Sequence, residues 1–217
     1  MLNVERFVFN PFEENTYLVI DSATGYCIIV DPGMFGAKDR ARVDEYISGH
    51  GLKLTQIVNT HMHLDHCFGA NNAKLDFSVP LAAHPADAFL GESFADQLSR
   101  FGFRTVGSEA PQVTIDIRLA DGDIIKIGES ELQVLAVPGH SPGGIALYSA
   151  ADKFVITGDS LFKGSIGRTD LAGGDMETLL ESVSGKLMSL PDDTLVMPGH
   201  GPYTSIGAEK KSNPFLR

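Results

Sequence analysis

Residues 60–69 read "THMHLDHCFG", and within six of those positions stand His61, His63, Asp65 and His66, three of the chain's seven histidines. The cluster follows "LTQIV" (54–58), a β-branched run that predicts a strand ending near Thr60. Side chains two apart share a side as a chain leaves a strand, so His61 and His63 converge. Asp65 and His66 fall at the start of a helix predicted through "CFGANNAKL" and turn toward a second, neighbouring point.

A metal takes about three or four protein ligands, and a catalytic one keeps a position open, so this cluster alone underfills a two-metal site. His140 in "LAVPGHSPGG" and His200 in "LVMPGHGP" each follow Pro-Gly at the end of an apolar run. Glycine lets the backbone bend sharply there, and the strand behind holds the turn rigid. Asp159 ends "KFVITGD" in the same pattern, with two oxygens able to bridge two cations. The candidate metal ligands are therefore His61, His63, Asp65, His66, His140, Asp159 and His200. Two divalent metal ions are the expected cofactors; imidazole with carboxylate suits zinc, iron and manganese, with zinc placed first. Cys67 is expected to pack inward, because adjacent helical side chains diverge by about 100°. His50, at a predicted helix C-terminus, and His84, before a proline at a strand exit, are read as structural.

Outward from the cluster, "RFVF", "NTYLVI", "YCIIV", "TQIVN", "QVTIDIRL", "DIIKI", "LQVLAV", "IALYS", "KFVIT" and "TLVMP" predict strands. Helical spacing marks Asp39–His50, Ala86–Phe101 and Met176–Leu190, the last with Leu179, Val183 and Leu187 on one face. Turns such as "ADGD" and "IGES" join strands as hairpins, predicting a largely antiparallel α+β chain rather than a doubly wound parallel sheet. Two packed sheets with helices outside, forming one domain over 1–217, is the expected architecture. The segment "RFGFRTVGSEAPQ" (100–112) reads as a surface loop.

A net charge of −11 with no basic patch argues against nucleic acid. The start, "MLNVERFVFNPFEEN", lacks a basic stretch followed by a long apolar run, and no later run approaches a membrane span. Two cysteines make no disulfide framework. A cytoplasmic protein without membrane contact is expected; its oligomeric state is left open.

"THMHLDH", "GHSPGG", "GDSLF" and "PGHGP" together resemble the metallo-β-lactamase superfamily, over residues 15–217. The resemblance implies a four-layer αββα sandwich with metals at one edge. It also implies that His61, His63 and His140 hold one metal, that Asp65, His66 and His200 hold the other, and that Asp159 bridges. Asp31 in "IIVDPG" matches the family's early Asp-Pro-Gly turn and takes a ligand-orienting role. Within the superfamily, "GDSLFKGSIGRTD" and the tail "GHGPYTSIGAEKKSNPFLR" are similar to glyoxalase II, the hydroxyacylglutathione hydrolase, and its short bacterial relatives without the C-terminal helical domain. That likeness implies hydrolysis of a small-molecule thioester, probed as S-lactoylglutathione, with Arg168 binding the substrate through its guanidinium. Asp170 and Pro202 stand where the family has tyrosines, so its glutathione contacts are only partly retained.

The mechanism expected for such a site is attack by a metal-bridging hydroxide on the thioester carbonyl, with Asp65 holding the attacking water's proton. No G-x-S-x-G elbow offers a serine route. A β-lactamase of the best-known subclass would carry cysteine in place of Asp159. The alternatives are a mononuclear-iron persulfide dioxygenase using His61, His140 and Asp159, a lactonase, and a non-enzymatic di-iron scaffold.

Overall fold

A computed structural model describes residues 1–103 and 112–216. The first sheet is six strands in sequential order: β1 (Leu2–Phe9), β2 (Glu14–Asp21), β3 (Tyr26–Val30), β4 (Lys53–Val58), β5 (Leu81–Ala83) and β6 (Ile117–Arg118). The second is built from β7 (Ile124–Ile127), β8 (Ser130–Ala136), β9 (Ile145–Ser149), β10 (Phe154–Gly158), β13 (Leu195–Pro198) and β14 (Thr204–Ser205), in the order β14-β13-β10-β9-β8-β7. A short hairpin, β11 (Leu161–Phe162) with β12 (Ser165–Ile166), lies after β10.

The sheets face each other across one apolar layer in which Tyr17, Val19, Ile28 and Val30 meet Ile127, Leu132, Val134, Leu147 and Ile156. On the far face of the first sheet, Leu18, Ile29 and Ile57 pack against helices α1 (Ala37–Gly49), α2 (Leu64–Cys67), α3 (Ala70–Phe77), α4 (Ala88–Glu92) and α5 (Phe94–Arg100). On the far face of the second, Ala146, Val155 and Val196 pack against α6 (Met176–Ser182) and α7 (Ile206–Ser212). The αββα sandwich expected from the sequence is the fold. Because both faces of β2 are covered, all eight of its residues are buried and no inside-outside alternation survives.

The hairpin reading holds for β1–β2–β3 and for β7–β8–β9–β10, all antiparallel. It misses the parallel pairs β3–β4, β4–β5, β5–β6 and β10–β13. Helices carry the chain across at each of these pairs, as parallel neighbours require. Those crossovers bring the C-terminal ends of β3, β4, β10 and β13 to one edge, where the histidine-bearing turns begin.

Three predicted elements differ in detail. The helix expected over Ala86–Phe101 breaks at Ser93, whose hydroxyl donates to the Phe89 carbonyl at 2.7 Å and competes with the backbone ladder. Leu179, Val183 and Leu187 are buried as predicted, but the helix widens into a π-type turn over Val183–Leu187. Of "QVTIDIRL" only Ile117–Arg118 forms strand. The Asp116 side chain is committed to Leu81 N and Lys74 Nζ. In the expected loop at 100–112, residues 104–111 lie outside the described residues.

Asp21 ties the two sheets together at the end away from the histidine turns. Its carboxylate accepts from Thr24 Oγ1 at 2.6 Å, from Glu129 N at 3.0 Å and from Ser130 Oγ at 2.8 Å. The Thr24 hydroxyl, followed by the Glu129 amide, holds the acid well below its ordinary range. A depressed folded-state pKa stabilises above the unfolded value of about 3.9, and that contribution is lost as pH falls through the folded value. Asp21→Asn is therefore expected to be less stable than wild type at pH 7, with the gap closing toward pH 2–3. Urea midpoints across that range would show it; a gap independent of pH would contradict the assignment.

Candidate functional site

At the shared edge the seven sequence candidates come together. The ligand atoms of His61, His63 and His140 lie within 4.8 Å of one another, and so do those of Asp65, His66 and His200. Asp159 stands between the two triads. Its Oδ2 is 3.6 Å from His140 Nε2 and 3.5 Å from His200 Nε2, while Oδ1 is 3.4 Å from His66 Nε2. A register shift between Ile156 and Gly158 precedes it, the kind of irregularity that re-aims the side chain that follows.

Second partners settle which ring nitrogens face inward. A carbonyl only accepts, so His140 Nδ1 donates to the Arg168 carbonyl at 2.7 Å and His200 Nδ1 to the Phe12 carbonyl at 2.9 Å. His61 Nδ1 lies 3.1 Å from Thr60 Oγ1. That hydroxyl donates to Asp31 Oδ2 at 2.7 Å, so it accepts from the imidazole. In each neutral ring Nε2 is then left with its lone pair toward the centre. His63 presents Nδ1 instead, 2.9 Å from His140 Nε2.

Burial and neighbouring imidazoles depress His61 and push His63 down to about 3, keeping both as neutral donors. Burial opposes a charge on His66 too, but Asp65, Asp159 and Asp31 overcome it and hold its pKa high. Burial alone would raise Asp159; the His66 and His200 charges keep it well below the usual carboxylate range. This donor set fits cations. His61 Nε2 and Asp159 Oδ1 are buried without a hydrogen-bond partner, and His63 Nδ1 and His140 Nε2 converge to 2.9 Å.

Glycine is required where these turns press against neighbours. A Cβ on Gly199 would sit 2.2 Å from Asp159 Oδ1 and 2.8 Å from His66 Cε1. Gly139, at φ +130°, would place one 2.3 Å from Leu179 N, at the start of α6.

Asp31 adopts the left-handed region (φ 51°), which aspartate tolerates better than most residues. Its oxygens already accept from Thr60 N at 2.6 Å and Thr60 Oγ1 at 2.7 Å. Oδ2 also lies 3.1 Å from His66 Nδ1, on the side of the ring away from the centre. Arg168 lines the cavity that opens onto His63, Asp65, His140, Asp159 and His200, but Asp170 engages its guanidinium at 2.6 and 2.7 Å, and the side chain is 58% exposed. Cys67 is buried in the apolar cluster under the first sheet. His50 bonds the Tyr46 carbonyl at the end of α1, and His84 Nδ1 accepts from Ala86 N, outside the site as read.

Sequence reading passed over several residues that place the ligands. "NTY" (15–17) reads in the sequence as the start of a strand and nothing more. Yet Asn15 Nδ2 donates to the Pro198 and Gly201 carbonyls, and Tyr17 OH to Pro198 O at 2.7 Å, so β2 clamps the turn carrying His200. Glu14, fully buried, has Oε1 4.0 Å from His66 Nδ1. Asn59 Nδ2 donates to the His66 carbonyl at 2.8 Å. Asp87, in a short helical turn after β5, accepts from Met62 N at 3.2 Å, Ser141 Oγ at 2.8 Å and Gly143 N at 2.6 Å. It fastens the His61–His63 segment to the His140 turn. The only sequence hint was its place two residues after a proline in "HPAD".

Asp87→Ala strips three donors of their acceptor, each costing about 1–3 kcal/mol when left buried and unpaired. A drop of about 3 kcal/mol in unfolding free energy is expected, measured by urea denaturation. An effect below about 1 kcal/mol would show that the two turns hold together without it.

Comparison with known proteins shows that the chain belongs to the metallo-beta-lactamase superfamily. Residues 9–200 match the family profile described as the metallo-beta-lactamase superfamily. The hydroxyacylglutathione hydrolase GloC of Haemophilus influenzae is 38% identical over 216 residues, covering 99% of this chain and 98% of its own. Among solved structures, the BLEG-1 B3 metallo-beta-lactamase superposes with a TM-score of 0.86 at 32% identity, covering 99% of each chain. TTHA1623, solved in a di-iron-bound form, superposes at 0.84 with 34% identity, covering 98% of this chain and 100% of that one.

Proposed function

From this chain's membership of the metallo-β-lactamase superfamily, we propose that it is a dinuclear metallo-hydrolase of thioesters, of the glyoxalase II type, acting on a small-molecule substrate such as S-lactoylglutathione. The observation that carries the reading is the pair of ligand triads sharing Asp159. The similarity to GloC supports the thioester. The cytoplasm is the proposed location, in keeping with the free Cys27 and Cys67. Among the described residues no helix is long and apolar enough to cross a membrane.

His61, His63 and His140 would hold one cation and Asp65, His66 and His200 the other, with Asp159 shared between them. When bound, the cations supply a water of lowered pKa and a Lewis acid for the carbonyl. Zinc suits this donor set, and the likeness to a protein solved with two irons supports iron equally. Asp65, with Oδ2 3.2 Å from His200 Nε2, stands at the open side of the site as the base that holds a proton. Asp31 orients His66 from behind and, through Thr60, His61. Arg168 keeps a substrate role only if its guanidinium leaves Asp170. Net reaction adds water across the acyl–sulfur bond, releasing a carboxylic acid and a thiol.

The test is elemental analysis of purified protein alongside S-lactoylglutathione hydrolysis. About two metals per chain are expected, with turnover falling by about 10³-fold or more in His63→Ala. One iron per chain, no turnover, and oxygen uptake with glutathione persulfide would replace this reading with the dioxygenase. Nitrocefin belongs in the same assay, because the superposed BLEG-1 is described as a β-lactamase.

Asp31→Asn should lower metal affinity or activity by about 10–100-fold, the usual cost of losing an outer partner of a ligand. Titrating metal into stripped wild type and variant would measure it. Equal affinities would leave Asp31 as a turn residue only.

A further inference from the structure

A cavity of about 450 Å³ opens onto the two triads, with His63, Asp65, His140, Asp159 and His200 at its base. That volume is in the range of small-molecule sites. Away from the base its wall is mostly apolar, formed by Phe12, Leu64, Phe89, Leu90, Phe101 and Leu171. Phe89 and Phe101 are 40% and 44% exposed, so large ring surface remains available to a ligand rather than being consumed by the core. Phe12 and Phe101 meet edge to face with centroids 5.5 Å apart, which fixes the angle of that wall. The Phe12 carbonyl holds His200, so the wall and the ligand set are positioned by one turn.

The described residues of this wall offer few cations to a peptide that carries two carboxylates. Those cations are Arg100 and Arg168. Asp170 occupies the Arg168 guanidinium with two charge-assisted hydrogen bonds. Arg100, the last residue of α5, is the other cation of the described wall. Glutathione carries two carboxylates and an ammonium, and selecting it takes more unspent cations than the described wall offers.

We propose, resting on the thioester-hydrolase reading, that the site selects its substrate by an apolar alkyl or aryl substituent flanking the scissile bond, seated against Phe12, Phe89 and Phe101, and does not select for glutathione. S-lactoylglutathione is then cleaved as one accessible thioester among others, and smaller neutral thiols serve as well.

Binding of non-hydrolysable thioethers to the metal-loaded protein, measured by calorimetry, tests this independently of turnover. S-hexyl-N-acetylcysteamine should bind about tenfold or more tightly than its S-methyl analogue, from burial of the added methylenes. Phe89→Ala and Phe101→Ala should each cut that hexyl-to-methyl ratio by about threefold or more, the S-methyl compound serving as the internal reference. S-methylglutathione should bind no better than S-methyl-N-acetylcysteamine. Equal binding of the hexyl and methyl compounds, a ratio unmoved in both variants, or a tenfold advantage for S-methylglutathione would each overturn the proposal. Assaying the matching thioesters in the same preparation separates the two readings. Chain-length-selective binding without cleavage of any thioester would retire the hydrolase and leave the apolar seat standing. Cleavage of S-lactoylglutathione without chain-length selectivity would do the reverse.

Discussion

Two imidazole nitrogens 2.9 Å apart, His63 Nδ1 and His140 Nε2, set the terms for the rest of this molecule. Both rings are buried, and the Arg168 carbonyl fixes the tautomer of His140 so that a lone pair faces its neighbour. Close by, Asp65 and Asp159 bring carboxylates to His66 and His200. Groups this polar do not gather out of water on their own account, because burial without full partners costs free energy. A rigid frame has to force them together, and most of the architecture is that frame.

The frame works through topology first. Parallel pairing of β3 with β4 and of β10 with β13 points four strand ends at one edge. It then works through hydrogen bonds that cross between turns far apart in sequence. Asp87 joins the turns of His61–His63 and His140. Asn15 and Tyr17 hold the turn of His200 from the first sheet, and Asp31 holds Thr60 while facing His66. These anchors are buried side chains meeting backbone groups, so they fix turn geometry while leaving the inward ring nitrogens uncommitted. Such outer partners are what keep a ligand set within the narrow tolerances that catalysis needs.

That division explains what the sequence disclosed. The candidate ligands were legible because three of seven histidines fall within six positions, and "HMHLDH", "PGH" and "TGD" repeat one pattern of a strand, a turn and a metal-binding residue type. The sandwich was legible from hairpins, with the parallel pairs missed because a helix crossover leaves no local turn signal. The anchors were not legible. Asn15 and Tyr17 sit in a strand whose two faces are both buried, so their polar ends looked like strand composition. Asp87 acts on residues 25 and 54 positions away, a relation that spacing along the chain does not express. The break at Ser93 and the π-type turn after Ser182 are likewise settled by tertiary packing over local propensity.

The turn between β1 and β2 shows how closely recognition and chemistry are joined. Asn10 and Glu13 both take left-handed backbone (φ 51° and 55°), a costly conformation that persists only when the surroundings determine it. Asn10 Nδ2 donates to the carbonyls of Gly33 and Asp65, both at 3.0 Å, and its Oδ1 accepts from Phe12 N. Phe12 then offers its carbonyl to His200 and its ring to the cavity. One short turn therefore spans the Asp31 segment, the Asp65 helix, the His200 turn and the apolar wall. A change in its length would shift all four together, so the apolar wall is fixed relative to the candidate ligands beneath it. Phe89 and Phe101, by contrast, line the cavity from α4 and the end of α5 without holding any of the seven candidate ligands, so their rings can change without moving that set.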